Sequence, residues 1–275
     1  ENILSGSMDV MRAKGATSIV LDVITGEIIA MVSLPDFDPN NRQLVSLGKE
    51  ANSNPLFNRA VQGVYELGST YKIFTVAKAL DLGLVDPETE IEVFRKTKIL
   101  GTDVRDDHYK VPKLSVTDII AKSSNVGTAT LASKIGRNNQ ITMLNDLGLF
   151  HPTEIELIEA KSITPLRPKK WIDSSTVTIS YGYGLSISPL HLAIAYATLV
   201  NGGYKVTPTI LKQNNKDLGR RIISEGTSNH LREILRSVVQ RGTATLGNVE
   251  GYEVGGKTGT ANKQKIGAKG YDNDR

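Results

Sequence analysis

Gly68-Ser-Thr-Tyr-Lys-Ile-Phe-Thr-Val-Ala-Lys-Ala-Leu80 is the stretch on which both the fold and the chemistry of this chain turn. Ile73, Phe74, Ala77 and Leu80 fall on one helical face and Gly83 closes the run, so a helix opening near Ser69 is predicted. A serine in the first turn of a helix lies beside unpaired backbone N–H groups and the positive end of the dipole, which stabilise a developing oxyanion. Lys72, three residues on, returns to the same face within reach of the Ser69 hydroxyl. An amine is a useful base only when neutral, and a free lysine titrates near about 10.4. Burial and a second nearby cation both lower that value, and Lys257 is the candidate for the cation. A serine that merely caps a helix, with a solvated lysine behind it, reads the same way in this string alone. A second Ser-x-x-Lys, Ser46-Leu-Gly-Lys49, lies in a polar stretch rich in turn residues and is read as a loop.

Two further strings separate those readings. Leu114-Ser-Val-Thr-Asp-Ile-Ile-Ala121 reads as a helix with Ser115 at its N-cap and Asp118 three residues on. After Ser123-Ser-Asn125 the helical pattern resumes through Val126, Ala129, Leu131, Ala132 and Ile135 and ends at Gly136. A polar triplet between helices is by itself an interhelical turn. As chemistry, the Ser123 hydroxyl relays a proton between two amines, and the Asn125 amide holds a substrate carbonyl. Tyr252-Glu-Val-Gly-Gly-Lys-Thr-Gly-Thr-Ala261 reads as a strand with glycines where the backbone must approach something closely, or as a glycine-rich hairpin without chemistry. An edge strand there pairs with an extended peptide through its main chain, at Gly259 and its neighbours. The Thr260 N–H is then a second oxyanion donor, and Lys257 with the Thr258 and Thr260 hydroxyls binds a terminal carboxylate.

Ser69-x-x-Lys72, Ser123-x-Asn125 and Lys257-Thr-Gly259 stand in the order found in serine enzymes that cleave D-alanyl peptides and penicillins. From about residue 14 onward the chain resembles the transpeptidase domain of class B penicillin-binding proteins. Thr178-Ile-Ser-Tyr-Gly-Tyr-Gly184, Ser188-Pro-Leu-His-Leu-Ala-Ile-Ala-Tyr196 and Asn201-Gly-Gly203 carry that resemblance, as do Asn58-Arg-Ala60 and Arg241-Gly-Thr-Ala244. Leu34-Pro-Asp-Phe-Asp-Pro-Asn40 and Tyr65-Glu-Leu-Gly-Ser69 are more similar to the septal, cell-division type than to the elongation type.

The resemblance implies an α+β fold of the penicillin-binding-protein and β-lactamase-like kind: an antiparallel sheet with helices on its faces, and a helical subdomain over roughly 70–200. It also implies that 1–275 is a C-terminally incomplete catalytic domain. A membrane anchor and a non-catalytic pedestal are expected before it, and two further strands and a helix after it. Those two strands would lie between the N-terminal hairpin and the Lys257 strand, so without them the two are expected to be unconnected and the isolated chain inactive. The local pattern agrees with the class. Ala16–Val23 and Glu27–Ser33 are β-branched runs joined at Thr25-Gly26, strand signals return at Lys205–Leu211, and Ser228–Val239 reads as a helix.

By the same resemblance the activity is D,D-transpeptidation. Lys72 deprotonates Ser69, Ser69 takes the acyl group of a peptidoglycan stem peptide, and a neighbouring stem peptide's amine accepts it. Penicillins and other β-lactams acylate Ser69. The work is expected at the periplasmic face of the bacterial inner membrane, beside a membrane glycosyltransferase and other division proteins. The alternatives are a β-lactamase, an acylated β-lactam sensor, or the elongation-type enzyme. A class A β-lactamase positions its deacylating water with Glu-x-x-Leu-Asn; the nearest approach here, Glu154-Ile-Glu-Leu-Ile158, has Ile in place of the Asn.

Composition narrows the field further. At 275 residues and 39% apolar the chain buries a substantial core. A net charge of only +4, with scattered basic residues, provides no nucleic-acid stripe. Four histidines without His-Glu-x-x-His, and no cysteine, argue against a zinc site, and the expected chemistry needs no metal or organic cofactor.

Overall fold

A computed structural model of the protein describes residues 1–41, 54–106, 111–213 and 218–262. Its centre is a helix buried almost all round, α2 (Lys72–Asp81), in which every residue but Lys78 and Asp81 is buried, Lys72 and Thr75 included. It packs against α4 (Asn125–Ile135), α5 (Arg137–Asp146) and α8 (Glu225–Arg241). Phe74 locks this core with edge-to-face contacts to Tyr71 at 5.5 Å and Tyr196 at 5.8 Å between ring centroids. The expected end of α2 holds: Gly83 N–H bonds Leu80 C=O at 2.9 Å and Leu84 N–H bonds Ala79 C=O at 3.0 Å.

The N-terminal hairpin also matches its sequence. Strands β1 (Ala16–Leu21) and β2 (Ile28–Leu34) pair antiparallel, with Ala16 opposite Leu34. Asp22 Oδ1 accepts the N–H groups of Ile24 and Thr25, each at 2.8 Å, and so shapes the turn. Ile19, Leu21, Ile28 and Met31 cover a second, smaller core with Leu190, Ala197 and Val206. The α8 helix spans the predicted 228–239 stretch and extends it at both ends; Ser224 accepts Thr227 N–H at 3.1 Å as its N-cap.

The structure departs from the sequence reading in several places. Ser69 lies in a single 3-10 turn, Gly68–Tyr71, ahead of α2 rather than in its first α-turn. Residues 90–115 hold four short strands that were not anticipated, β3 (Glu90–Glu92) paired with β6 (Lys113–Ser115) and β4 (Lys96–Ile99) paired with β5 (Thr102–Arg105). Strands of three or four residues are too short for alternation to stand out. Lys205–Leu211 forms no strand: Thr209 makes a single parallel bridge to Glu27, and Pro208, lacking an N–H, interrupts any ladder. Tyr252–Ala261 likewise has no ladder among the described residues. Gly256 N–H bonds Leu235 C=O at 3.1 Å, and Arg236 Nη1 bonds Val254 C=O at 2.8 Å, so α8 holds it as an extended segment. Ser46–Lys49 lies outside the described residues.

Truncating the ring at the centre of the core tests this packing. Phe74→Ala is expected to lower the unfolding free energy by about 3–5 kcal/mol. Urea denaturation should show the midpoint falling with an unchanged m-value.

Candidate active site

The 3-10 turn brings Ser69 to the wall of a cavity of about 300 Å³. Lys72, Ser123, Asn125, Thr258, Gly259 and Thr260 line the same cavity, together with Asp106, Lys122 and Thr243, which the sequence reading did not single out. Ser69 is half-buried, and its hydroxyl makes no hydrogen bond to another described residue. Lys72 is 1% exposed because it begins a helix buried on all sides.

Ser123 is placed by the junction of two helices. Ser115 caps α3 (Val116–Ala121) by accepting Asp118 N–H at 3.1 Å, as expected from its position. The chain then turns through Ser123 at φ 60°, the left-handed region that a side chain seldom occupies. Ser124 caps α4, accepting Gly127 N–H at 2.9 Å. Asp106, 6% exposed, closes the same end of α4: its carboxylate accepts Asn125 N–H at 2.6 Å, Val126 N–H at 3.2 Å and the Ser124 hydroxyl. Asp106 follows the unanticipated β5, and no local pattern marks an aspartate whose partners lie some twenty residues ahead.

Two amines meet at Ser123. Lys72 Nζ and Lys257 Nζ each lie 3.0 Å from Ser123 Oγ. Lys72 Nζ also donates to Ser123 C=O, and Lys257 Nζ to Thr258 C=O at 3.0 Å. Burial, assisted by the Lys257 charge and opposed by the Asp106 carboxylate, lowers the Lys72 amine to about 7. Burial lowers the Lys257 amine to about 8. A neutral Lys72 beside a protonated Lys257 is therefore accessible near neutrality.

The third string docks against the Ser69 turn through backbone. A methyl group on Gly68 would lie 2.1 Å from Thr260 C=O, and one on Gly259 would lie 2.7 Å from Leu67 C=O. Side chains at either place would push the Lys257 segment away, and Gly68 also has φ +53°. Thr258 Oγ1 lies 2.7 Å from Thr243 Oγ1, which follows the Arg241–Gly242 end of α8. Thr243 N–H bonds Ala121 C=O at 3.1 Å, tying that loop to the end of α3. Asn125 faces the cavity, although one N–H of its amide is used by Arg105 C=O at 3.1 Å.

The Glu154–Ile158 segment lies elsewhere. Glu154 lines a separate cavity of about 110 Å³ with His151 and His191, which shares no residue with the Ser69 cavity. Glu156 accepts the Thr209 hydroxyl at 2.6 Å and Ile210 N–H at 3.0 Å, a structural pairing.

The placement of Asp106 has a measurable consequence. Asp106→Asn removes an anion that favours the ammonium form, so the Lys72 amine should titrate below the value of about 7 seen with the carboxylate present. Lysine ¹³Cε chemical shifts followed against pH read this directly. An unchanged or higher midpoint contradicts the electrostatic role of Asp106.

Comparison with known proteins places the chain in a family. The family described as "Penicillin binding protein transpeptidase domain" matches residues 16–275. The chain is 36% identical over 280 residues to the "Probable peptidoglycan D,D-transpeptidase FtsI" of Caulobacter vibrioides, an alignment covering 100% of this chain and 46% of that protein. It thus spans less than half the length of that relative. Among solved structures, the TP domain of Burkholderia pseudomallei penicillin-binding protein 3 superposes with a TM-score of 0.85 at 34% identity, over 98% of this chain and 76% of that one. Mycobacterium tuberculosis penicillin-binding protein 3 complexed with ampicillin superposes with a TM-score of 0.88 at 29% identity, over 99% of this chain and 63% of that one. With a family match running from β1 onward over residues 16–275, the chain belongs to the penicillin-binding protein transpeptidase family.

Proposed function

We propose that this chain is the catalytic part of a peptidoglycan D,D-transpeptidase that cross-links stem peptides through an acyl-enzyme at Ser69, in septal wall synthesis during cell division. The observation that carries the reading is the convergence of Lys72 and Lys257 on Ser123 Oγ, 3.0 Å from each, beside Ser69 in one cavity. A hydroxyl between two amines of lowered pKa is a proton relay, and acyl transfer from an amide needs one proton removed from the nucleophile and one delivered to the leaving nitrogen.

Neutral Lys72 takes the Ser69 hydroxyl proton as Ser69 Oγ bonds to the carbonyl carbon of the penultimate D-alanine. The N–H groups of Ser69 and Thr260 hold the oxyanion; each such donor contributes about 3 kcal/mol to lowering the barrier. The intermediate collapses by breaking the bond to the terminal D-alanine nitrogen, which receives a proton from Lys72 through Ser123. Lys257, protonated, supplies the charge that keeps the relay poised and, with the Thr258 and Thr260 hydroxyls, receives the terminal carboxylate. The amine of a second stem peptide then attacks the ester; its nitrogen gives up a proton, by way of Lys72, to Ser69 Oγ as the ester C–O bond breaks and the new amide forms. A β-lactam takes the place of the D-alanyl-D-alanine end and remains on Ser69. Under this reading residues 1–275 belong to a protein anchored at the periplasmic face of the inner membrane, acting with a membrane glycosyltransferase and other division proteins.

Intact mass spectrometry of the penicillin-treated protein should show one added penicillin, mapped to Ser69 and persisting for many minutes. Rapid loss of the adduct with drug turnover would identify a β-lactamase instead. Release of D-alanine from a D-alanyl-D-alanine stem peptide separates an enzyme from a β-lactam sensor, which releases none.

The rate of acylation should also follow a bell in pH. It rises through about 7 as Lys72 loses its proton, and it falls beyond about 8 as Lys257 loses its own. Lys257→Arg should retain acylation and remove the alkaline limb, because guanidinium stays charged. Lys72→Arg should abolish acylation for the same reason. Second-order acylation constants that fall equally in the two variants contradict these roles.

A further inference from the structure

A buried carboxylate three residues before the nucleophile takes no part in the proton transfers. Glu66 is 7% exposed, and its Oε1 accepts Gly184 N–H at 2.6 Å. Burying a carboxylate is costly unless it is bonded, and this bond reaches the backbone that packs on the Ser69 turn. Gly184 belongs to a segment that runs alongside the whole nucleophile stretch. Ser180 C=O accepts the Thr75 hydroxyl at 3.4 Å, Leu185 C=O accepts the Tyr71 hydroxyl at 3.4 Å, and Ile187 exchanges both backbone hydrogen bonds with Tyr65, at 2.9 and 3.0 Å.

At the middle of this segment, Gly182 presses on the nucleophile's own peptide. A methyl group on Gly182 would lie 1.9 Å from Gly68 C=O, so only a glycine, here at φ +99°, lets the two backbones meet. That carbonyl belongs to the same planar unit as the Ser69 N–H. In a trans peptide the two point in opposite directions, so whatever fixes the Gly68 oxygen also aims the Ser69 N–H. The Thr260 carbonyl packs against the Cα of Gly68 and leaves the peptide little freedom to rotate.

We propose that Glu66 is a positioning residue for the oxyanion site: by holding Gly184 it keeps Gly182 against the Gly68 carbonyl, and so aims the Ser69 N–H at the oxyanion. This rests on the Ser69 acyl-enzyme reading given above. The part Glu66 plays is geometric, as an acceptor of the right length, and the glutamate moves no proton.

Two conservative variants of the intact protein separate length from charge. Glu66→Asp keeps the charge and withdraws the acceptor by one methylene; Glu66→Gln keeps the length and an acceptor oxygen. Stopped-flow acylation by benzylpenicillin resolves the dissociation constant of the reversible complex from the acylation rate constant. Glu66→Asp should lower the rate constant by about 10- to 100-fold, short of the loss of a whole donor. The dissociation constant should stay within about threefold, because the donor acts on the developing oxyanion, and Glu66→Gln should remain within about threefold in both. Wild-type rates in Glu66→Asp, equal losses in the two variants, or a loss confined to the dissociation constant would each overturn the inference. If Glu66→Asp does not fold, Glu66→Gln decides: a rate constant within threefold of wild type upholds the acceptor role, and a larger loss overturns it. A wild-type protein that penicillin does not acylate at Ser69 overturns the transpeptidase reading itself, and this inference with it.

Discussion

Two amines held within hydrogen-bond distance of one hydroxyl is the constraint on which the rest of this structure depends. Lys72 and Lys257 come from segments far apart in the chain, and each lies 3.0 Å from Ser123 Oγ. Two protonated amines on one hydroxyl repel each other, and Lys72 is sealed from bulk water while Lys257 is partly buried. With the Lys72 amine lowered to about 7 and the Lys257 amine to about 8, one of the two can be neutral near neutrality. Burial, which is ordinarily unfavourable for a lysine, here sets the charge state of the site. Asp106 moderates it by drawing Lys72 back toward the ammonium form.

The surrounding fold holds these three side chains in place by three different means. Lys72 is carried by a helix buried on nearly every side, so its backbone has no free face along which to shift. Ser123 is held in the left-handed region between two capped helices, with the buried Asp106 carboxylate fastening the start of the second. Lys257 arrives on an extended segment that packs backbone to backbone against the nucleophile turn, where glycines at 68 and 259 permit the approach. A rigid helix, a strained turn and a close main-chain contact thus converge on the Ser123 hydroxyl. The proton relay proposed for it works only within a narrow geometric tolerance.

The Ser69 cavity and the acidic segment at 154–158 are separate parts of the fold. The segment that most nearly resembles a deacylation motif, Glu154–Ile158, lines a different cavity, and its Glu156 is occupied with Thr209 and Ile210. Among the described residues, the carboxylate that lines the Ser69 cavity is Asp106, and that group is committed to the N-terminus of α4.

Much of the site was legible in the sequence because its parts are short and local. Ser69 with Lys72, Ser123 with Asn125, and Lys257 with Thr258 to Thr260 are each neighbours in the chain, and helix periodicity and caps announce the elements that carry the first two pairs. The α+β class, the N-terminal hairpin and the Ser115 cap were legible for the same reason. The parts that were not legible depend on residues distant in sequence. Asp106 meets its partners only after β4 and β5 fold back on each other, and Thr243 meets Thr258 only when α8 ends beside the third string. Glu66 meets Gly184 across 118 residues. Tyr252–Ala261 has the composition of a strand, yet a strand is defined by the ladder beside it, and α8 supplies its contacts instead. The sequence by itself determined which side chains stand together in the three strings and which of them begin helices, since side-chain type and local helix geometry are encoded residue by residue. Only the tertiary structure decided their charge states and aim, because burial, like-charge proximity and backbone contact are properties of segments brought together from across the chain.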